Sequence, residues 1–233
     1  MSLLAAEGVT VRYGGVHAVE SVDFEVTPGA IHGIIGPNGA GKSTFMDALS
    51  GRHRLAGGKV LYDGQDISTK SPMWRRLHGI SRSFQRASVF NSLTVRAQLE
   101  MVAWRTKERR LDHVIEALHL QDLLAHRCDA ISYGDQRRVD LAMALTGHPR
   151  VLLLDEPGAG LVADEARLML DHVSELCAEW GVGAVLVEHN VEGVFRVCSD
   201  VSVFNMGRVL TSGKPEEVRR NKQVIEAYLG SSA

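Results

Sequence analysis

The stretch "AIHGIIGPNGAGKSTFMDAL", residues 30–49, constrains this chain more than any other. A short apolar run ending in glycine reads as a buried parallel strand, and the amphipathic run from Lys42 to Leu49 reads as a helix that stops near Gly51. Between them lies "GPNGAGKS", which fits G-x-x-x-x-G-K-[ST]. Flanked in this way, the loop reads as a phosphate cradle formed by Gly36, Pro37, Asn38, Gly39, Ala40 and Gly41. Glycines let the backbone wrap an anion so that several N–H groups point inward. Lys42 adds a point positive charge, Ser43 an oxygen for Mg²⁺, and Thr44 a further hydrogen bond to phosphate. The alternative is a glycine-rich turn with a surface lysine.

The rest of the chain supplies an α/β frame for that loop. Residues 9–13 and 17–26 alternate as strands around a "YGG" turn, and 59–67 reads as a hairpin turning at Asp63-Gly64. A short helix near 72–78 leads to a strand over 79–85. From 93 to 124 there is no strand signal, and residues of about 90–147 read as a helical insertion. The α/β pattern then resumes with "RVLLLDEP", a helix over 163–180, the strand "GAVLVEH", a helix at "NVEGVFRVC", a strand pair turning at Gly207, and a C-terminal helix over about 214–230. The expectation is one domain over 1–233, with the helices inserted in it.

"VLLLDEP" sets Asp155 and Glu156 at the C-terminal end of a buried strand, where ligands of open α/β sheets bind. Asp155 suits Mg²⁺, held through water, and Glu156 suits a general base or water-orienting group. A solvated turn is the alternative. Gln85, at the end of the strand before the helices, can reach Mg²⁺ or the attacking water with its carbonyl, or is simply a polar strand end. His189 can donate to a γ-phosphate or be structural, and Tyr13 can stack on adenine or pack in its hairpin. "ISYGDQRRVD", at 131–140, opens a second helix with residues suited to binding an anion, far from the first cradle in the chain.

Composition excludes several classes. With 26 Lys and Arg against 28 Asp and Glu, the net charge is −2, which gives no electrostatic footprint for nucleic acid. Cys128, Cys177 and Cys198 lack metal or disulfide spacing and suit a reducing compartment. No apolar run approaches the roughly 20 residues that span a bilayer, so any membrane connection is expected through a partner. "MSLLAAEGVT" lacks the basic-then-apolar pattern of a secretory leader.

Taken in order, "GPNGAGKST", Gln85, "ISYGDQRR", "VLLLDEP" and His189 resemble the ATPase subunit of an ABC transporter along essentially the whole chain. The resemblance implies a P-loop NTPase (RecA-like) core with an N-terminal antiparallel β subdomain and an inserted helical subdomain. It implies ATP and Mg²⁺ as cofactors, with Ser43, Gln85 and Asp155 toward the metal and Glu156, His189 and Gln85 in catalysis. It also implies a head-to-tail pair of ATPase subunits, identical or paralogous. Ser132, Tyr133, Gly134, Asp135 and Gln136 of one copy would then cover the ATP held by the other.

Two positions depart from that family's pattern. Asp135 stands where glutamine is usual, and Val162 where Asp or Asn links the two sites across the pair. The latter puts cross-site coupling in question. The "SYG" signature and the ending "VIEAYLG" resemble subunits energising uptake of branched-chain amino acids, or of urea and short amides. Implied partners are integral membrane permeases, touched near Phe90 and Leu93, and an extracytoplasmic solute-binding protein, with the chain on the cytoplasmic face of the plasma membrane. Lipopolysaccharide export, a soluble non-transport ABC ATPase, and a P-loop kinase are the alternatives. A kinase leaves "ISYGDQRR" without a purpose.

Overall fold

Five-residue strands with every residue buried form the centre of the molecule: β3 (Ile31–Ile35), β7 (Val151–Asp155) and β8 (Gly183–Val187). A strand covered on both faces must be apolar throughout, which is how these segments read. The computed structural model describes residues 2–108 and 111–226. β6 (Ile80–Arg82), β9 (Asp200–Asn205) and β10 (Arg208–Gly213) complete a six-stranded sheet ordered β10-β9-β3-β8-β7-β6. It is parallel except for the β10 edge. A second, antiparallel sheet, ordered β2-β1-β4-β5, joins β1 (Leu4–Tyr13), β2 (Val16–Val26), β4 (Gly57–Tyr62) and β5 (Gln65–Asp66).

Strand alternation sorts the core into two layers. Val151, Leu153, Val185 and Val187 pack with α1 (Lys42–Ser50) and the antiparallel sheet. Leu152, Leu154, Ala184 and Leu186 pack with α6 (Ala163–Trp180) and α7 (Val191–Val197) on the other side. Asp155 shares the parity of Val151 and Leu153, so it belongs to the α1 layer. The segment between β6 and β7 contains α3 (Val95–Thr106), α4 (Leu111–Ala117), two short 3₁₀ turns and α5 (Tyr133–Leu145). Past β10 come α8 (Pro215–Arg220) and α9 (Lys222–Val224), separated at Asn221, whose side chain caps the second. The expected end of that helix, 227–230, lies outside the described residues.

A small helix ties the frame together. α2 (Pro72–Leu77) carries two arginines that bind the ends of other helices. The fully buried Arg75 donates to the carbonyls of Ala48 and Leu49 at 3.0 and 2.6 Å, closing α1. Arg76 donates to those of Met143 and Thr146 at 3.1 and 2.6 Å, closing α5. Cations at helix C-termini satisfy orphan carbonyls and complement the dipole.

Most strand expectations match these elements, with two differences at the ends. β1 begins at Leu4, five residues before the expected start, because the irregular register around Gly8 breaks the alternation. β6 ends at Arg82, so Gln85 lies in the following loop and not at a strand end. The Ser83 amide still donates to the Leu153 carbonyl at 2.9 Å, but the Phe84 carbonyl is taken by Arg137 of α5 at 2.8 Å, which turns the chain away from the sheet.

Candidate functional site

The loop between β3 and α1 is bent by its own packing. A Cβ at Gly36 would stand 2.2 Å from the Phe204 carbonyl oxygen, and one at Gly41 2.4 Å from that of Ala18. Both residues also have positive φ, so only glycine fits. Gly41 starts α1 with no side-chain cap. The amides of Asn38, Gly39, Gly41, Lys42, Ser43 and Thr44 have no hydrogen-bond partner among the described residues. Open amides at a helix N-terminus form an anion site. Lys42 is buried, and its ammonium donates to the carbonyls of Gly36 at 2.7 Å and Pro37 at 3.0 Å. Burial lowers its pKa, against the pull of Glu156 and Asp155.

A cavity of about 490 Å³ is lined by Asn38, Gly39, Ala40, Gly41, Lys42, Ser43 and Thr44 from this loop, with Ala18, Gln85, Glu156 and His189. Two of these side chains meet at the carboxylate of a third, Glu156. The Gln85 Nε2 donates to Glu156 Oε2 at 2.8 Å, and His189 Nε2 lies 2.9 Å from Glu156 Oε1. Glu156 has φ of 51°. That left-handed backbone costs a non-glycine residue about 1–3 kcal/mol. It is held by the Glu156 amide on the Val187 carbonyl at 2.8 Å and by Arg137, which grips the Glu156 carbonyl and that of Pro157.

Asp155 faces the neighbouring strand. Its Oδ2 accepts from Arg82 Nη2 at 2.9 Å, and its Oδ1 is buried without a hydrogen-bond partner among the described residues. Burial raises the Asp155 pKa, against the opposing pull of Arg82. An unpaired buried carboxylate oxygen suits a cation. Asp155 is not among the residues lining the Lys42 cavity, but a carboxylate at its edge and the Ser43 hydroxyl are the kinds of oxygen that Mg²⁺ takes beside phosphates and water.

The residues of "ISYGD" lie elsewhere. Ser132 caps α5, its hydroxyl accepting from the Asp135 amide at 3.1 Å. Ser132, Gly134 and Asp135 line a separate cavity of about 220 Å³, between α5 and α6, that shares no residue with the Lys42 cavity. Asp135 pairs with Arg138. Partial burial pulls its carboxyl pKa upward, but hydrogen bonds from Arg138 and Ser132 outweigh that and hold it below the usual range. The acid at this departure from the family pattern is thus already neutralised within its own chain. Gln136 donates its amide to the Cys128 carbonyl at 2.9 Å. The Tyr133 ring packs over Gly160, where a Cβ would stand 2.7 Å from it. Val162, the other departure, starts α6 with no side-chain cap and is 66% exposed.

Tyr13 does not line the Lys42 cavity; it is half exposed, edge-on to His53 with ring centroids 4.7 Å apart. Gly36 and Pro37 support the loop from behind and are absent from the lining as well. Sequence reasoning missed Arg82 and Arg137. The one available signal was a charge inside "GISRSF", where a buried strand ought to be apolar. A larger cavity, of about 780 Å³, lies between the two sheets around His32, Asp200 and Lys214 and holds none of the motifs.

Likeness to known proteins agrees with this geometry. Residues 19–159 match the ABC transporter family, and 208–233 match a family described as branched-chain amino acid ATP-binding cassette transporter. The chain is 32% identical to the high-affinity branched-chain amino acid transport ATP-binding protein BraF of Pseudomonas aeruginosa, covering 99% of this chain and 98% of the relative. It is 34% identical to the lipopolysaccharide export system ATP-binding protein LptB of Haemophilus influenzae, with the same coverage. A solved ATP-binding cassette in its ADP conformation superposes with a TM-score of 0.89 at 27% identity, covering 99% of each chain. Among the described residues no helix is long and apolar enough to cross a membrane. A likeness that runs the length of the chain, through the same segments that gather polar groups around Lys42, makes this chain a member of the ABC transporter ATP-binding family, and an ATPase.

Proposed function

We propose that the chain energises import of branched-chain amino acids, working from the cytoplasmic face of the plasma membrane through permease subunits and with an extracytoplasmic solute-binding protein. The observation that carries this cargo is the match of residues 208–233, a segment outside the shared ATPase motifs. Lipopolysaccharide export is the second reading, favoured by the 34% identical relative.

The mechanism is built from the site. Two copies pair head to tail, and Ser132 to Gln136 of one close over ATP on the loop of the other. The separation of the Ser132 and Lys42 cavities within one chain supports this arrangement. As phosphate enters, the Lys42 ammonium exchanges the Gly36 and Pro37 carbonyls for β- and γ-phosphate oxygens. Ser43, Asp155 and Gln85 would hold Mg²⁺, and the ion would supply positive charge against the phosphates. Glu156 takes a proton from the attacking water as the new O–P bond forms at the γ-phosphorus. The bond to the bridging oxygen breaks, and ADP and phosphate leave. Gln85 and His189 hold one Glu156 oxygen each, which fixes the plane of the base. Loss of the γ-phosphate removes the bridge between the subunits and loosens the pair.

The test is to copurify the chain with its membrane subunits and reconstitute the complex in vesicles. Solute-binding protein loaded with leucine, isoleucine or valine is expected to stimulate ATP hydrolysis and solute uptake. Stimulation by lipopolysaccharide instead, or the absence of any membrane partner, would overturn the cargo.

A further inference from the structure

We propose that Arg82 is a positioning residue that sets Ser43 and Asp155 in register for Mg²⁺. This rests on the assignment of those two groups to the metal given above.

The residue joins the two elements that supply them. From β6, Nη2 binds Asp155 Oδ2 at 2.9 Å, at the end of β7. Nη1 binds Asp47 Oδ1 at 2.5 Å and Ser50 Oγ at 3.1 Å, on α1. Asp47 follows Ser43 by four residues, so the two lie one above the other on the same helix face. A pull on Asp47 therefore fixes the height and rotation of Ser43. At the other end, occupation of Oδ2 leaves Oδ1 as the Asp155 oxygen without a partner. The side chains of Arg82 and Asp155 are 9% and 7% exposed, and the guanidinium lies 5.2 Å from the centroid of the Phe84 ring, so the group has little room to move. A planar fork spans two carboxylates in fixed directions, whereas a lysine ammonium is a single point charge.

The experiment compares R82M, R82K, D47N and D155N with the parent chain. Three quantities are measured: affinity for a fluorescent ATP analogue without metal, Mn²⁺ binding to the ATP complex by electron paramagnetic resonance, and the Mg²⁺ concentration at half-maximal hydrolysis. R82M, which removes the bonds to both Asp155 and Asp47, is expected to weaken Mn²⁺ binding about tenfold or more, with metal-free nucleotide affinity unchanged. R82K is expected to fall between R82M and the parent. D47N leaves the Asp155 contact intact and loosens only the α1 end, so about a threefold loss is expected; it carries the test if R82M fails to fold. Parental Mn²⁺ binding in R82M or D47N would overturn the proposal, as would an equal loss of metal-free nucleotide affinity, the mark of a general packing role. Parental Mn²⁺ binding in D155N would instead overturn the underlying metal assignment.

Discussion

Two helices of this molecule begin with glycine- and serine-containing loops, and they begin in opposite ways. α1 starts at Gly41 in the left-handed region, with no side-chain cap and a row of amides without partners among the described residues. α5 starts at Ser132 in extended backbone, with its own hydroxyl capping the Asp135 amide. An uncapped start that shares a cavity with Gln85, Glu156 and His189 is, on our reading, where its own chain takes a phosphate. A start already capped, with Tyr133 42% exposed and Asp135 paired, stands complete in the single chain, and on our reading it meets nucleotide only when a second subunit brings one. The bodies differ too. α5 buries Arg137 and Asp140, and these grip the loop after β6 and the backbone at Glu156. The tails are treated alike, by Arg75 and Arg76 side by side on α2.

The largest effect that can break this contrast is expected from Glu156→Gln. The amide keeps the shape of the carboxylate but cannot take a proton. Hydrolysis should fall by roughly 10²–10⁴-fold while ATP binding persists. With ATP, the variant should accumulate as a dimer by size-exclusion chromatography. A variant that binds ATP and stays monomeric would show that the α5 start needs no partner.

The body of α5 offers a pH test. Burial raises the Asp140 pKa to about 6, against the Ser88 amide and the charge of Arg137. A carboxylate raised in the folded state binds more protons there than in the unfolded chain. Its ionisation therefore costs stability as pH rises from about 4 through about 6. Asp140→Asn keeps an oxygen for the Ser88 amide and removes the charge. It should gain on the order of 2 kcal/mol above pH 6 and little below pH 4, read from urea unfolding across that range. A constant difference at all pH values would place the effect in packing and not in charge.

The smallest effect sharpens the contrast at its centre. Ser132→Ala removes the cap of α5, worth about 1 kcal/mol, or a loss of about 2–4 °C in Tm. Metal-free ATP binding by the single chain should be unchanged, because Ser132 does not line the Lys42 cavity. Turnover by the pair should drop further than stability explains. Weakened ATP binding in the isolated subunit would join the two helix starts into one site and end the comparison.

Both helix starts were legible from residue type and order, and so were the strand carrying Asp155 and Glu156 and the segment of helices between β6 and β7. These depend on local chemistry: glycine where φ is positive, apolar runs where a strand is covered twice, serine where a helix opens. Gln85 reads as the end of a strand, whereas the structure sets it in the loop after β6, against Glu156. The Arg137 contact with the Phe84 carbonyl that ends β6 comes from 53 residues further along the chain, and no local pattern announces it. Tyr13 was expected to stack on a base or pack in its hairpin, and its place beside His53 follows from the path of the antiparallel sheet.

By itself, then, the sequence determined the glycine loop before α1, the serine start of α5 and the buried strand that ends in Asp155, because backbone conformation and burial are set within a few residues. Only the tertiary structure decided which of them meet. The strand order β6-β7-β8 brings Gln85 and His189 from either side onto Glu156, and lays Arg82 between Asp47 and Asp155. Those contacts cross 33 to 73 positions of chain. They exist because crossover helices carry parallel strands back to a common edge, a requirement of the whole sheet and of no single segment.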